Sequence, residues 1–521
     1  MVENTALTQA QTVYPNQFYR RKNRRRLILI SVVMVGLIVL TVYFSKNYPV
    51  NAVLVPVIVL LSAAIYRWPV VGLFVTLALE CFCETFATPD GISTYTILPL
   101  ININQFTTLP ISATPYEVIL FGTVIAAVLK ALRQGEWPDK SKTALIVLGF
   151  TFFVFFGYFF GVYYKKGDGK AALWEVRSLV YVPLVYYLTV FLSRDLRIWK
   201  TYEWIFSLTL TALSIITIWR FFALADVAKS GLYSESLNGL NHDNAILFVM
   251  LIMWCMVKIV FGTNRGERIA AALIISLPTI GIMISGRRAA FACLAATVIV
   301  FLAVLAVRHR KAFIIAIITI ALVYPPYMVV FSNDSGPLGM AARAFNSSKA
   351  PVNSRDYSSD LYRDVEKANV QQTLKLAPLT GIGFGQQFGQ FYPMVILDYF
   401  TFQFYTPHVQ ILWLWLKVGL FGWALFWLMI SSSMFKLGQI IKYNKQGTIL
   451  SGALLSGFMI VSTMVYSYID LGLISVRLMP MMCMGAGLLE IGYRTIKHPV
   501  TVSKAIEAPA TAADKELVAA S

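Results

Sequence analysis

Apolar runs about as long as a bilayer is thick alternate with short polar connections along almost the whole chain. They fall near 27–44, 51–66, 69–88, 116–132, 143–163, 178–193 and 203–224. More follow near 244–262, 269–285, 289–307, 312–331, 410–434, 448–468 and 472–492. Each is close to the ~20 residues a helix needs to cross a hydrocarbon core. The pattern therefore predicts an all-α polytopic membrane protein with about 14 transmembrane helices.

One interval breaks the alternation. Residues 332–408, between the eleventh and twelfth predicted spans, are polar over a length no other connection approaches. The expected organisation is a basic N-terminal segment (1–26), spans one to eleven (27–331), a large loop (332–409), spans twelve to fourteen (410–492) and a tail (493–521). The small, polar composition of the tail predicts disorder, and no repeat of solenoid period is visible.

Composition agrees: of 521 residues, 57% are hydrophobic and 13% charged, which excludes both a soluble domain of this size and a disordered chain. A formal charge of +18 would point to nucleic acid in a soluble protein. Here Lys and Arg gather in the short connections, as membrane topology requires, and no nucleic-acid partner is expected. With the N-terminus inside, the cytoplasmic connections hold Arg67, then Arg133, Lys140 and Lys142, then Arg194, Arg197 and Lys200, then Arg265 and Arg268. Arg308, Arg310 and Lys311 follow, then Lys436, Lys442 and Lys445, then Arg494 and Lys497. The connections at 89–115 and at Asp470 carry no basic residue. Both termini are thus expected in the cytoplasm, with the basic cluster at 20–26 anchoring the first span and no cleavable signal peptide. The 332–408 loop then faces outward, which for a bacterial inner membrane is the periplasm.

Some basic residues break this rule on the outer face. Lys165, Lys166, Lys170 and Arg177 precede the sixth span, Arg220 lies in the seventh, and Arg287 and Arg288 occupy a turn between two spans. The loop adds Arg343, Arg355 and Arg363. Arginine at membrane depth is costly unless it is paired or lines a wet cavity; the plainer alternative is snorkelling to lipid phosphates. For the adjacent Arg287 and Arg288, with no acid nearby in sequence, a functional role is the better reading.

The planar guanidinium fork suits phosphate oxygens and a departing diphosphate. Histidine can take a proton from a hydroxyl nucleophile near neutral pH. His408, after Pro407, is the one histidine in the long loop, and His242, in Asn241-His-Asp-Asn244, is the rival base. Together these ask for group transfer from a lipid diphosphate to a hydroxyl at the outer face. No Walker loop, HExxH, GxSxG or paired-carboxylate motif is present. The five cysteines all lie in apolar runs, so no disulfide framework or zinc site is expected. Gly381-Ile-Gly383-Phe-Gly385 does not fit GxGxxG and reads as a tight turn or, alternatively, an anion cradle.

Three segments carry a resemblance to the O-antigen ligase / O-antigen polymerase superfamily. Ser285-Gly-Arg287-Arg288-Ala-Ala looks like the family's Ser/Arg turn between two spans. Arg363 stands 18 positions (381 − 363) before the glycines of Pro378-Leu-Thr-Gly381-Ile-Gly-Phe-Gly385, similar to the family's Arg-to-PLxGxGxG segment. His408 is followed by Gly419 and Gly422, at +11 and +14, similar to a His-Asn-x9-Gly-x-x-Gly motif. Asn244 and Arg177 also sit where the family has an Asn and an Arg at outer span ends. The likeness covers roughly 170–430. Val409 stands where the family has Asn, Lys367 where it often has Trp, and of the doublet Arg288 aligns better than Arg287.

This resemblance implies a metal-independent, inverting glycosyltransferase of the GT-C kind that needs no cofactor. Its donor would be an undecaprenyl-diphosphate-linked glycan and its acceptor a sugar hydroxyl of a glycan or lipid-linked glycan. Arg288 and Arg363 would hold the diphosphate as leaving group, with Arg287, Arg220 and Arg177 as further diphosphate ligands. His408 would activate the acceptor, and Gly381, Gly383 and Gly385 would form the loop turn. A polymerase of exopolysaccharide or O-antigen is the favoured reading, with membrane lipids around it and a flippase and chain-length regulator as candidate companions. The alternatives are a ligase to lipid A-core, a transferase to protein and, from another class, a lipid-linked oligosaccharide flippase.

Overall fold

The apolar runs become helices because a backbone in hydrocarbon must satisfy its own polar groups. The computed structural model describes residues 50–82, 113–135, 139–223, 242–262, 264–285, 287–332, 339–345, 355–397, 400–444 and 447–497. The predicted span 27–44, the N-terminal segment, the connection at 89–112 and the tail from 498 lie outside these residues.

The chain forms two units, one of residues 1–72 with 102–126 and one of 73–101 with 127–521. The helices at the start of the chain are α1 (Val50–Arg67), α2 (Pro69–Phe82) and α3 (Pro115–Gln134). Thr114 and Glu117 cap α3 reciprocally: Glu117 N–H donates to Thr114 Oγ1 at 3.2 Å and Thr114 N–H to Glu117 Oε2 at 2.8 Å. Pro115 takes the first helical position, where no N–H is needed.

In the larger unit follow α4 (Lys142–Phe159, continued by a π turn, Phe160–Tyr164), α5 (Gly169–Leu192), α6 (Leu196–Ala223), α7 (His242–Phe261), α8 (Arg265–Ile274) and α9 (Ser276–Ser285). Then come α10 (Arg288–Arg308), α11 (Arg310–Phe331), α12 (Met340–Phe345), α13 (Arg355–Leu376), α14 (Gln410–Tyr443), α15 (Gly447–Ile469) and α16 (Leu478–Lys497). Among the described residues ten helical segments are long and apolar enough to cross a membrane. The protein is an all-α polytopic membrane protein, as the apolar pattern predicts.

The packing order follows the apolar faces. α15 lies against α16, α7 and α10, and α14 against α4. α7 and α15 are mostly buried, whereas α11 buries none of its residues and presents apolar side chains all round. α5 begins at Gly169, capped by Asp168, whose carboxylate accepts from Lys170 N–H at 2.7 Å. Lys170 and Arg177 therefore lie within this helix rather than before it. The last predicted span starts at Leu478, which leaves Arg477 in the turn that follows α15.

The long polar interval is largely ordered structure. Its middle is the polar helix α13, and Val370, Leu374 and Phe388 form a small core with Leu416 of α14. The segment after α13 then inserts into a break in α14 at Gly419, which has φ 72° and ψ 179°. In an unbroken helix Leu420 N–H would bond to Leu416 O. Instead Leu420 N–H donates to Leu379 O at 3.0 Å, and Leu416 O accepts from Ile382 N–H at 2.7 Å. A Cβ at Gly419 would stand 2.4 Å from Leu379 O, so the insertion requires a glycine there. Gly422 serves helix packing instead, since its bare Cα lets α14 close on Phe153 of α4.

Candidate active site

Two arginines from distant segments meet over one carboxylate. Arg288, in the first turn of α10, makes a two-pronged pair with Asp360 of α13, Nη1 to Oδ2 at 2.9 Å and Nη2 to Oδ1 at 2.8 Å. Arg363, one turn further along α13, lies 3.9 Å from Asp360 Oδ1 through Nη1. Its Nη2 donates to Asp470 Oδ2 at 3.4 Å. That same oxygen lies 3.1 Å from His242 Nδ1, at the start of α7. The result is a chain of alternating charge, Arg288–Asp360–Arg363–Asp470–His242, drawn from α7, α10, α13 and the turn after α15.

A second pair stands beside it. Glu366, fully buried on α13, accepts the backbone N–H of His408 at 2.7 Å, and His408 Nδ1 lies 3.1 Å from both of its carboxylate oxygens. Asp360, Arg363 and Glu366 follow one another at three-residue spacing, which places them on one face of α13. The Tyr362 ring meets the imidazole edge-on, with centroids 5.7 Å apart. A carboxylate on Nδ1 fixes the neutral tautomer with its proton there, so Nε2 is the free acceptor.

Electrostatics separates the two acids' effects. Burial pulls the His408 imidazole down, but the Glu366 hydrogen bond and charge, helped by Asp470, outweigh burial and the opposing Arg363. The His408 pKa is therefore raised above its ordinary value. Burial alone would raise Asp470; the His242 hydrogen bond and the charges of His242, His408 and Arg363 outweigh it. Asp470 is held well below the usual carboxylate range and stays ionised at any working pH.

The glycine run is a packing device. Gly381, Gly383 and Gly385 all have positive φ (65°, 83° and 73°). A Cβ at Gly383 would stand 2.6 Å from Gly161 Cα, and one at Gly385 2.4 Å from Asp168 O. Gly381 N–H donates to Ala377 O, Phe384 N–H to Gly157 O and Gly385 N–H to Glu175 Oε2. With these donors occupied, the geometry favours the tight turn over the anion cradle. Glu175 also pairs with Lys417 at 2.8 Å and accepts from Trp413 Nε1 at 3.1 Å, both partners being fully buried. The turn is thus locked to α5 and α14.

The other expected ligands are placed as follows. Arg287 is the residue before α10, its N–H 3.4 Å from Ser285 Oγ. Arg177 is on α5, where Nε donates to Tyr181 Oη at 3.3 Å. The side chains of Arg220, Arg343 and Arg355 lie outside the described residues. Asn244 is buried, and its Oδ1 accepts from Arg477 Nη1 at 2.5 Å. Arg477 donates further to Glu80 O and Cys81 O, so it ties the turn bearing Asp470 to α2 and α7. Lys367 lies over the Tyr468 ring, 5.9 Å from its centroid, and Val409 is buried.

Sequence reasoning finds Arg288, Arg363 and His408 but misses their acids, Asp360, Glu366 and Asp470. The spacing of Asp360, Arg363 and Glu366 on a polar helix was the available signal. The pairing of Asp470 had none, since its partners lie 107 and 228 residues away.

Fold and site together define a multi-pass membrane protein with a clustered cation–acid–histidine group at the loop-bearing end of its larger unit. Residues 271–427 match the family model described as O-antigen ligase, which bears out the resemblance to the O-antigen ligase / O-antigen polymerase superfamily and supports a function of that general type. The matched segment contains Arg288, α13, the glycine run and His408. No curated protein matches the chain.

Proposed function

We propose that the protein is an inner-membrane glycosyltransferase that polymerises an undecaprenyl-diphosphate-linked glycan on the periplasmic face, with both termini in the cytoplasm. The observation that carries this reading is the meeting of Arg288 and Arg363 beside a carboxylate-oriented His408. Asp360, 40% exposed and bound two-pronged by Arg288, occupies the place a phosphate would take. A diphosphate arriving from the membrane would displace it and bind both arginines. The acceptor hydroxyl would then attack the anomeric carbon from the opposite face, its proton passing to His408 Nε2, while the bond from that carbon to the diphosphate oxygen breaks. A single displacement of this kind inverts the anomeric configuration. Two preplaced arginines stabilise the departing charge without a metal ion, and this term is expected to supply most of the rate enhancement. A flippase and a chain-length regulator would supply the donor and limit the product.

Ligation to lipid A-core is the second reading, favoured by the description of the matched family model. Glycan analysis of a deletion strain separates the possibilities. A polymerase mutant accumulates translocated single units, a ligase mutant accumulates lipid-linked polymer, and a flippase mutant retains precursor on the cytoplasmic face. Normal glycan in the deletion strain would sink all three.

A further inference from the structure

We infer that the loop is re-entrant: residues 376–380 dip into the bilayer and contact the acyl chains of membrane lipids. This stands on geometry alone and does not depend on the transferase reading. α14 runs antiparallel to α4, with Thr143 Oγ1 2.7 Å from Ser432 Oγ; α4 begins at Lys142 and the Lys436–Glu490 salt bridge lies one turn beyond Ser432, so we take this level as the loop-distal border. About 20 residues cross a hydrocarbon core. Counted from that pair, the loop-side border falls near residue 163 on α4 and near residue 412 on α14. The segment after α13 meets the chain inside this border, at Gly157 of α4 and at Leu416 and Leu420 of α14. On α14 that is four to eight residues in, or roughly 6–12 Å at the rise of an α-helix.

The chemistry of the segment fits that depth. Leu376-Ala-Pro-Leu-Thr380 has no charged residue, and Leu376 and Leu379 are 76% and 58% exposed. Irregular backbone facing lipid must have its polar groups satisfied by protein. Three of the segment's carbonyls are so satisfied: Ala377 O accepts from Gly381 N–H at 2.9 Å, Pro378 O from Trp415 Nε1 at 2.7 Å and Leu379 O from Leu420 N–H at 3.0 Å. Pro378 has no N–H to satisfy, and Ala377 N–H donates to Leu374 O. The exposed leucines continue the lipid-facing surface of α14, where Phe421 is 60% exposed. Lys375, just before the segment, has a stem long enough to carry its ammonium back toward the headgroups. Anchoring the C-terminal end of α13 in this way fixes the height of Arg363, 13 residues (376 − 363) and thus up to about 20 Å along the helix.

The test uses the full chain in lipid nanodiscs with a bimane label on Leu376→Cys or Leu379→Cys, and on Leu361→Cys as the aqueous comparison. Leu361 is 51% exposed at the other end of α13. The described native cysteines are buried, and the unsubstituted protein serves as the labelling blank. Labels at 376 and 379 should be quenched by doxyl-acyl lipids and several-fold less than 361 by aqueous iodide. Iodide quenching equal to that at 361 would overturn the inference in favour of a water-filled groove. Protection from both quenchers would overturn it in favour of a protein partner. Either position suffices should the other variant fail to fold.

Discussion

The two ends of the larger unit both carry buried charge, and they treat it differently. At the end away from the loop, Lys436 pairs with Glu490 at 2.5 Å, Arg494 bridges Glu490 and Asp139, and Lys258 pairs with Glu203. Lys436, Glu490, Lys258 and Glu203 are all less than a tenth exposed. At the loop end Arg288, Arg363, Asp360 and His242 are 18–42% exposed. Asp360 stands there between two arginines, and Asp470 between an arginine and a histidine. Closed short pairs hold helices together. Half-open ones can exchange a carboxylate for an anionic ligand, and that difference in exposure fits a joint at one end and the proposed site at the other.

Substitutions at the two ends should therefore fail in different ways. The largest effect is expected from Arg288→Ala and His408→Ala. Each should lower transfer by on the order of 100-fold or more with insertion and melting temperature preserved, because leaving-group stabilisation and proton acceptance act in the transition state. Chain-length analysis alongside detergent thermal melts checks both halves. Next comes Lys258→Ala at the other end. It strands the buried Glu203 carboxylate and should cost about 3–5 kcal/mol of stability, read as an earlier melt, with transfer per folded molecule kept.

A smaller effect, roughly 10-fold in rate, is expected from Glu366→Gln, because it acts through His408. His408 must be neutral to accept a proton, and Glu366 raises its pKa. Activity of the native protein should rise with pH through a value above the ordinary histidine pKa of about 6.5. In Glu366→Gln that rise should move to lower pH while the plateau falls. An unmoved rise would detach Glu366 from the proton transfer. Least affected should be Lys367→Leu, which loses one half-exposed cation–π contact with Tyr468 worth about 0.5–1 kcal/mol.

The spans were easier to read in the sequence than the site. Bilayer thickness imposes a run of ~20 apolar residues wherever a helix crosses, so the spans after 113 are legible one by one. Arg288, Arg363 and His408 are legible because their spacing resembles that of the family's motifs. What was hidden depends on tertiary contact. Asp360 is 72 residues from Arg288, and Glu175 meets Lys417 only because α5 packs near α14. Gly419 reads only as a motif position after His408 until the segment from Leu379 to Ile382 is seen to break the helix there. The polar character of 332–408 likewise suggests a loop wholly outside the membrane, whereas residues 376–384 thread between α4 and α14.

The central claim is that the Arg288–Asp360–Arg363 group beside Glu366–His408 performs transfer from a lipid diphosphate. Purified protein in nanodiscs, given undecaprenyl-diphosphate-linked glycan units and no added metal, tests it most directly by the length of the products. The account predicts extended glycan and released undecaprenyl diphosphate with the native protein, and neither with Arg288→Ala. Extended glycan at the native rate from Arg288→Ala would contradict it.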